Sequence, residues 1–592
     1  MEKIKKFKPY LIYTCIFAIM ALLIFWIFIK FGKSFVREGD GFYQHYVFLH
    51  GFSRLVQEVF QNLGNGIPMF MWEMGLGLDI IGQFSYYMTG DLFSYIGVLF
   101  PQDNLEFVYN MLIILRIYVA GIAFMAYARY HNKSDVLCAI GGIMYSLCSF
   151  NLTYGMTHPF FINATIMFPI MLIAIDKLID KDKITTLTTV VFLTAIMNYY
   201  FFYKITIISF IYAIIRILCE KKDNKLQFFT RKMLKIILAY IIAVLCAAII
   251  LLPTIYAFFN SDRLGSEMVS YNSSYYQNLL VGGKGFTTTF WVPSIAILLI
   301  PIAISKFKEK ENKYMTIMFL VQTVMLMIPI IGSIMNGFSF PINRWSFMYI
   351  FVLIYMSLCG INEKLKYSKK EILIMIFTSL IYIVVLMCLD KISLNMLKMT
   401  TFFLSIFMII ILLNNLNINY LKRVNKYVIV FIGIVICVNI LAYKQEFLGI
   451  ENQGNIKNFV DSGKVAERYA SCNNLIQNFD KAIENIKKQD NSFYRIGEYT
   501  KYSKNESLLY GYKALNSYFS IGNGYVGKLS RELLNKYYEK VDALNGLDNR
   551  AKITTLMSSK YYIRHKNKKK RYQMKKMEII LHKYMKINIT YQ

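Results

Sequence analysis

The chain has 592 residues, 56% apolar and only 17% charged, with a mean hydropathy of +0.41. Soluble domains carry about a quarter charged residues, so this composition argues against an ordinary cytosolic enzyme, a disordered chain or a disulfide-built secreted scaffold. The formal charge of +30 would point to nucleic acid in a soluble protein. In a chain of long apolar runs it has a topological cause instead, because basic residues collect in loops kept on the cytoplasmic side, and no nucleic-acid partner is expected.

The N-terminus reads KIKKFK and then about twenty apolar residues, Tyr10 to Ile29. That run is too long for a cleavable leader and has no small-residue cleavage site, so it predicts a retained anchor with its basic flank inside. Apolar stretches then predict about thirteen helical spans: 10–29, 108–128, 135–150, 159–176, 185–200, 204–219, 234–257, 289–305, 315–332, 346–361, 371–389, 397–414 and 427–443. With the N-terminus inside, the inner loops hold about 27 Lys+Arg and the outer loops before residue 444 about nine. Parity then places residues 444–592 outside. The expected fold is an α-helical polytopic membrane protein: a multi-span domain over 1–443 with a large first outer loop at 30–107, and an extracytoplasmic α+β domain over 444–592.

In the first loop, Phe42, Tyr46, Leu49, Phe52, Val56, Val59 and Leu63 recur at helical spacing, which predicts an amphipathic helix able to lie on the bilayer surface. The glycine- and aromatic-rich stretch GNGIPMFMWEMGLGLDIIGQFSYYMTGDLF follows. It predicts a loop dipping to membrane depth against protein, since irregular backbone cannot face lipid. Beyond residue 444, helix-like stretches at about 473–488 and 525–538 alternate with strand-like pieces such as Phe493–Tyr499. From Lys560 the tail, 560–592, carries eleven Lys+Arg and one acid, Glu578. Nine cysteines show neither zinc spacing nor a disulfide framework.

Glu38, Asp40, Glu73, Asp79 and Asp91 are the acids of the first loop near the membrane. Asp40 lies between two glycines in EGDGFYQHY, at the mouth of the first span, where a carboxylate can take a proton from an incoming hydroxyl. It also precedes an amphipathic helix, where Asp is an ordinary N-cap, and on local grounds capping is the stronger reading. Arg116 inside the second span, Lys204 at an outer turn, and Arg263 and Arg344 in outer loops are cations positioned to meet an outer-leaflet phosphate. The alternatives are internal ion pairs or snorkelling, and a charge within a span costs about 2.5–3.5 kcal/mol unless it faces a polar interior. His45 and His158 are outward-facing histidines near the membrane plane. Their spacing does not demand a metal, hydrogen-bonded roles are favoured, and no metal or cofactor is assigned. No Walker motif, nucleophile elbow, HExxH or dinucleotide fingerprint occurs.

The series EGDGFYQHYVFL, MWEMGLGLD, YYMTGDLF, MNYYFFYK, LLPTIYAFFNSDR and NRWSF, extending weakly into NSFYRIG and LNSYFSIGNGY, resembles the bacterial YfhO-type membrane proteins over most of residues 1–530. The resemblance implies a GT-C-type glycosyltransferase in the bacterial cytoplasmic membrane. Such an enzyme moves a sugar from a polyprenyl-phosphate carrier to a cell-envelope acceptor, such as teichoic acid, on the outer face. It makes Asp40 the general base, with Glu38 as second candidate. His45, Arg116, His158, Lys204, Arg263, Arg344 and Trp345 become substrate-binding candidates. The partners implied are the lipid-linked sugar, the polymer acceptor and membrane lipid. Related chains continue with more outer domain and a closing span, so the outer domain here is expected to be incomplete. A lipid or polysaccharide transporter, with inverted repeats that this sequence lacks, and a non-catalytic envelope scaffold are the competing functions.

Overall fold

The computed structural model describes residues 2–592 except 67, 221, 262–290, 339–340, 389–393, 416–427, 449–454, 466–478, 499–503, 536–537, 540–542, 548–549, 566–576, 582–585 and 588–592. The chain opens with α1 (Glu2–Lys30), strand β1 (Lys33–Arg37), a π-helical turn (Gly41–Tyr46) and α2 (Val47–Gln61). The helical bundle continues through α3 (Leu105–Tyr130), α4 (Asp135–Ser146), α5 (Phe161–Lys181), α6 (Ile184–Met197), α7 (Tyr199–Leu218), α8 (Lys225–Phe259) and α9 (Ser294–Ser305). It ends with α10 (Lys310–Met327), α11 (Ser346–Gly360), α12 (Lys369–Met387), α13 (Leu394–Asn415) and α14 (Val428–Leu448). Each predicted span window thus holds a helix among the described residues. Seven are long and apolar enough to cross a membrane and five more are shorter apolar helices. The molecule is a helical membrane protein.

Local chemistry sets several boundaries. Ser134 caps α4, and Ser368 with Glu371 forms a capping box at α12. Asn198 breaks α6 from α7: its extended backbone ends one helix while its side-chain oxygen accepts Phe201 N–H to start the next.

The second half of the glycine- and aromatic-rich loop packs into the bundle, while Met69, Phe70 and Trp72 in its first half are exposed. Asn198 Nδ2 donates to the Tyr86 carbonyl at 2.7 Å, and Ser85 and Thr254 hydroxyls meet at 2.6 Å. A Cβ at Gly90 would stand 1.6 Å from the Ile196 carbonyl oxygen, so only glycine allows this approach. Asp91 pairs with Arg116, roughly 16 Å along α3 from its first residue. The irregular backbone from Ser85 to Asp91 is therefore packed against protein.

Helix α2 departs from its expected role. Phe42, Leu49 and Phe52 are buried in the core, Gly51 packs on Leu508, and Arg54 donates to the Leu508 carbonyl at 2.9 Å. The apolar face expected to meet a bilayer surface is covered by protein over the first half of the helix; Phe60 and Leu63 at its end are exposed.

The region after α14 mixes strands and helices. Strand β2 (Phe459–Asp461) pairs antiparallel with β1, and Lys33 Nζ meets Asp461 at 2.7 Å. This places the first loop and the C-terminal region at the same end of the bundle. Helix α15 (Phe479–Gln489) precedes strand β3 (Arg495–Glu498), parallel to Ser559–His565, and β4 (Asn516–Tyr518) pairs with Ala543–Asn545. Ala482, Ile483, Ile486, Tyr494 and Ile496 form a small core of their own, whereas Phe459, Leu508, Phe519 and Ile521 join the main core. Where the sequence suggests a boundary near 444, the two regions interlock.

Candidate functional site

Gly39, with φ +90°, turns the chain out of β1, and its carbonyl accepts the Phe42 and Tyr43 N–H groups. Asp40 follows in helical conformation (φ −62°, ψ −34°), and its side chain makes no cap bond. An N-cap needs extended backbone to swing its oxygen toward the next N–H groups. Here the helical geometry carries the carboxylate away from them, so capping, the locally stronger reading, is not what this residue does.

The Asp40 side chain is 37% exposed and faces two partners. Tyr518, at the end of β4, donates its hydroxyl to Oδ1 at 2.8 Å. His158 Nε2 lies 3.9 Å from Oδ2. Behind it, His158 Nδ1 and His45 Nε2 are 2.8 Å apart, and His45 is 1% exposed. Burial, opposed by the Asp40 carboxylate and reinforced by Arg116, lowers His45 to about 4. Burial, and then His45, Arg344 and Arg37, hold His158 well below the usual imidazole range. Both rings are neutral at neutral pH.

The expected cations divide into two groups. Arg344 and His158 lie on the same aromatic ring: the guanidinium is 5.5 Å from the Phe161 centroid and the imidazole stacks on it at 4.6 Å. Lys204 is fully buried, with its ammonium over the rings of Tyr200 and Phe201. Arg116 is committed elsewhere. It bonds Asp91 at 2.5 Å and Asn163 at 3.1 Å, while Asn163 and Ser94 complete the Asp91 carboxylate at 2.8 and 2.7 Å. A guanidinium neutralised in this way fits the internal ion pair, one of the two readings its sequence position allows. Trp345 is 0% exposed and donates to Asn343 Oδ1 at 3.1 Å, so in this structure it supports the loop. Glu38 is exposed, its backbone N–H bonded to the Asn458 carbonyl. Arg263 lies outside the described residues.

Beside these groups runs an apolar groove of about 550 Å³, lined by α7 (Tyr199, Phe202, Tyr203), α8 (Leu251, Ile255, Phe258), Tyr86 and Tyr200, Phe338, and Ser520 and Ile521. This size is typical of a small-ligand site, roughly 300–1,000 Å³. Its wall connects to the Asp40 neighbourhood through Tyr87, whose hydroxyl contacts Gln44 Oε1 at 2.9 Å and Ser520 Oγ at 2.6 Å. Asn505, bonded to the Tyr43 carbonyl and to both Tyr518 backbone groups, fixes the strand that carries Tyr518.

Sequence reasoning missed Tyr518, Tyr87 and Asn505. LNSYFSIGNGY was noticed as a motif, but nothing local joins it to a residue 478 positions earlier. Among the described residues no group of three or more His, Cys, Asp and Glu is arranged to hold a metal ion.

The family model described as "Bacterial membrane protein YfhO" matches residues 14–592. A Bacillus subtilis (strain 168) protein described as "Uncharacterized protein YfhO" is 20% identical over 559 residues, covering 90% of this chain. The chain spans 62% of that relative's length. A match over nearly the whole chain, on a helical membrane fold carrying the glycine-flanked Asp40 motif, makes this protein a member of the YfhO family of bacterial membrane proteins.

Proposed function

We propose that this protein is a membrane glycosyltransferase that takes a sugar from a polyprenyl-phosphate carrier and transfers it to a hydroxyl of a cell-envelope polymer, such as teichoic acid, on the outer face of the cytoplasmic membrane. The observation that carries the reading is a half-exposed carboxylate, Asp40, freed from capping and held by Tyr518 and His158, beside a groove apolar enough for a lipid chain.

Asp40 takes the proton of the acceptor hydroxyl as its oxygen bonds to the anomeric carbon. The bond from that carbon to the carrier's phosphate oxygen breaks, and the electron pair leaves with polyprenyl phosphate. Arg344 and Lys204 are the cations that meet the departing charge, and the full burial of Lys204 and partial burial of Arg344 strengthen that interaction. The carrier arrives with its own leaving group, so the reaction needs no nucleotide fold; positioning, one base and charge neutralisation suffice. The isoprenoid tail lies in the groove between α7 and α8. The N-terminus is inside, and the first loop and C-terminal region face outward.

The test is glycosylation of the envelope polymer in cells carrying wild-type or Asp40→Asn protein at equal membrane abundance. The expected result is loss of transfer; unchanged glycosylation would remove Asp40 from the mechanism. Lipid translocation by the purified protein in vesicles, with no sugar transfer, would move the assignment to a transporter.

A further inference from the structure

We propose that His158 and His45 form a positioning pair that aims an imidazole N–H at Asp40 and fixes the carboxylate for proton removal. The inference rests on the reading of Asp40 as the base. It begins with one contact, His158 Nδ1 to His45 Nε2 at 2.8 Å, which has room for a single proton. Among the described residues His45 Nδ1 is buried without a hydrogen-bond partner.

Only two arrangements of neutral rings satisfy that contact. If His158 Nδ1 donated, His45 would carry its own proton on Nδ1, as an N–H with nothing to bond, and His158 would turn a lone pair on Asp40. If His45 Nε2 donates, the bare atom is only a lone pair, and His158 Nε2 presents an N–H to Asp40 Oδ2. A buried unpaired N–H is rarer and costlier than an unpaired lone pair, and a lone pair facing a carboxylate is repulsive. The structure therefore assigns Nε2–H to both rings. Asp40 then accepts the Tyr518 hydroxyl on Oδ1 and has the His158 N–H directed at Oδ2 from 3.9 Å, a distance that must shorten for a hydrogen bond, and neither group gives up its proton.

The surroundings keep both rings uncharged. His158 is faced by Asp40, His45, Arg344 and Arg37, and stacks on Phe161. His45 is faced by Asp40, by Arg116 with its partner Asp91, and by Tyr87 and Phe160. A neutral His158 directs an N–H at the carboxylate without forming the ion pair that an imidazolium would make with it.

Two measurements test the pair. The first is solid-state ¹⁵N spectroscopy of the full chain, histidine-labelled, in lipid bilayers; the sequence has six histidines, and His45→Gln and His158→Gln assign the two signals. Both rings should show Nε2–H and remain neutral at pH 6. An Nδ1–H tautomer or an imidazolium at either ring would overturn the proposal. The second is the pH profile of transfer for His45→Gln, which keeps a donor near the Nε2 position, against His45→Leu, which removes it. His45→Leu should lower kcat about tenfold at unchanged KM and raise the acidic limb by about one pH unit, with His45→Gln within about twofold of wild type. Equal impairment of both variants, or a wild-type profile for His45→Leu, also rejects the pair. Transfer that persists in Asp40→Asn would reject Asp40 as the base, whereas the ¹⁵N spectra judge the histidines without reference to activity.

Discussion

Asp40 and Asp176 are two carboxylates in one bundle with opposite surroundings. Asp176, in α5, is completely buried and fully engaged: His131 Nε2 at 3.0 Å, the Tyr212 hydroxyl at 2.8 Å and Arg216 Nε at 3.2 Å. Arg216 also reaches Asp180 at 3.1 Å and pairs with Glu220, which meets Lys310 at 2.6 Å. Asp40 is over a third exposed and, among the described residues, has one close donor and one group at 3.9 Å; its partner Tyr518 lies two residues from Ser520 in the groove wall. Saturated charges tie α3, α5, α7 and α10 together. An under-committed carboxylate beside a cavity retains lone pairs for a substrate. The Asp91–Arg116 pair belongs with Asp176, which is why a charge in the middle of a span is a poor guide to a ligand site.

The sharpest way to break this contrast is to substitute at both places and read activity and stability together. Asp40→Asn should lower transfer by about 10²–10⁴-fold, the usual worth of a general base, and leave thermal unfolding in detergent unchanged. Arg216→Leu should do the reverse in kind. It leaves Asp176 buried without its guanidinium, at a cost of about 3–5 kcal/mol, seen as a large drop in unfolding temperature or as failure to accumulate. If Asp40→Asn proved the destabilising variant and Arg216→Leu the silent one, the division between working and structural carboxylates would be wrong.

Acid sharpens the comparison next. Unfolded, His45 titrates near its ordinary 6.5; folded, it is held at about 4. Between those values the unfolded chain binds the extra proton, so the stabilising contribution is complete above pH 6.5 and is lost as pH falls toward 4. The swing for this buried ring is about 3 kcal/mol. Unfolding temperatures between pH 7 and pH 4.5 should therefore fall more steeply in wild type than in His45→Gln. Parallel slopes would show that the ring is not held neutral.

These contrasts also explain what could be read from the sequence. The helices were legible because apolar length and basic loops are local, additive signals, and each window from 10–29 to 427–443 holds a helix among the described residues. Asp40 was legible as a position but not as a role: glycine-flanked Asp before a helix obeys capping logic, and only the helical φ and ψ at residue 40 show the side chain released. Arg116 and Asp91 were both visible, 25 residues apart, but their pairing depends on how far the loop descends, which Gly90 permits by its contact with Ile196. The bilayer-surface reading of α2 failed for a related reason. A hydrophobic face records that something apolar covers it, and Leu508 does so from the far end of the chain.

Tyr518 offers the smallest and most discriminating effect. Its hydroxyl is the close donor that the C-terminal region gives Asp40 among the described residues, and Asn505 holds its backbone from both sides. Tyr518→Phe removes one hydrogen bond to a partly exposed carboxylate, an interaction worth about 1 kcal/mol after solvent screening, or a factor of about five in kcat. The aromatic ring remains, so packing against Lys504, 4.2 Å from its centroid, should survive and stability should hold. A fivefold loss in kcat at constant KM and constant unfolding temperature would mean that the C-terminal region completes the Asp40 site by orienting its carboxylate. A rise in KM alone would instead make Tyr518 a contact for the acceptor, and the outer region's part in the reaction would then be to bind the polymer, with the orientation of Asp40 left to His158.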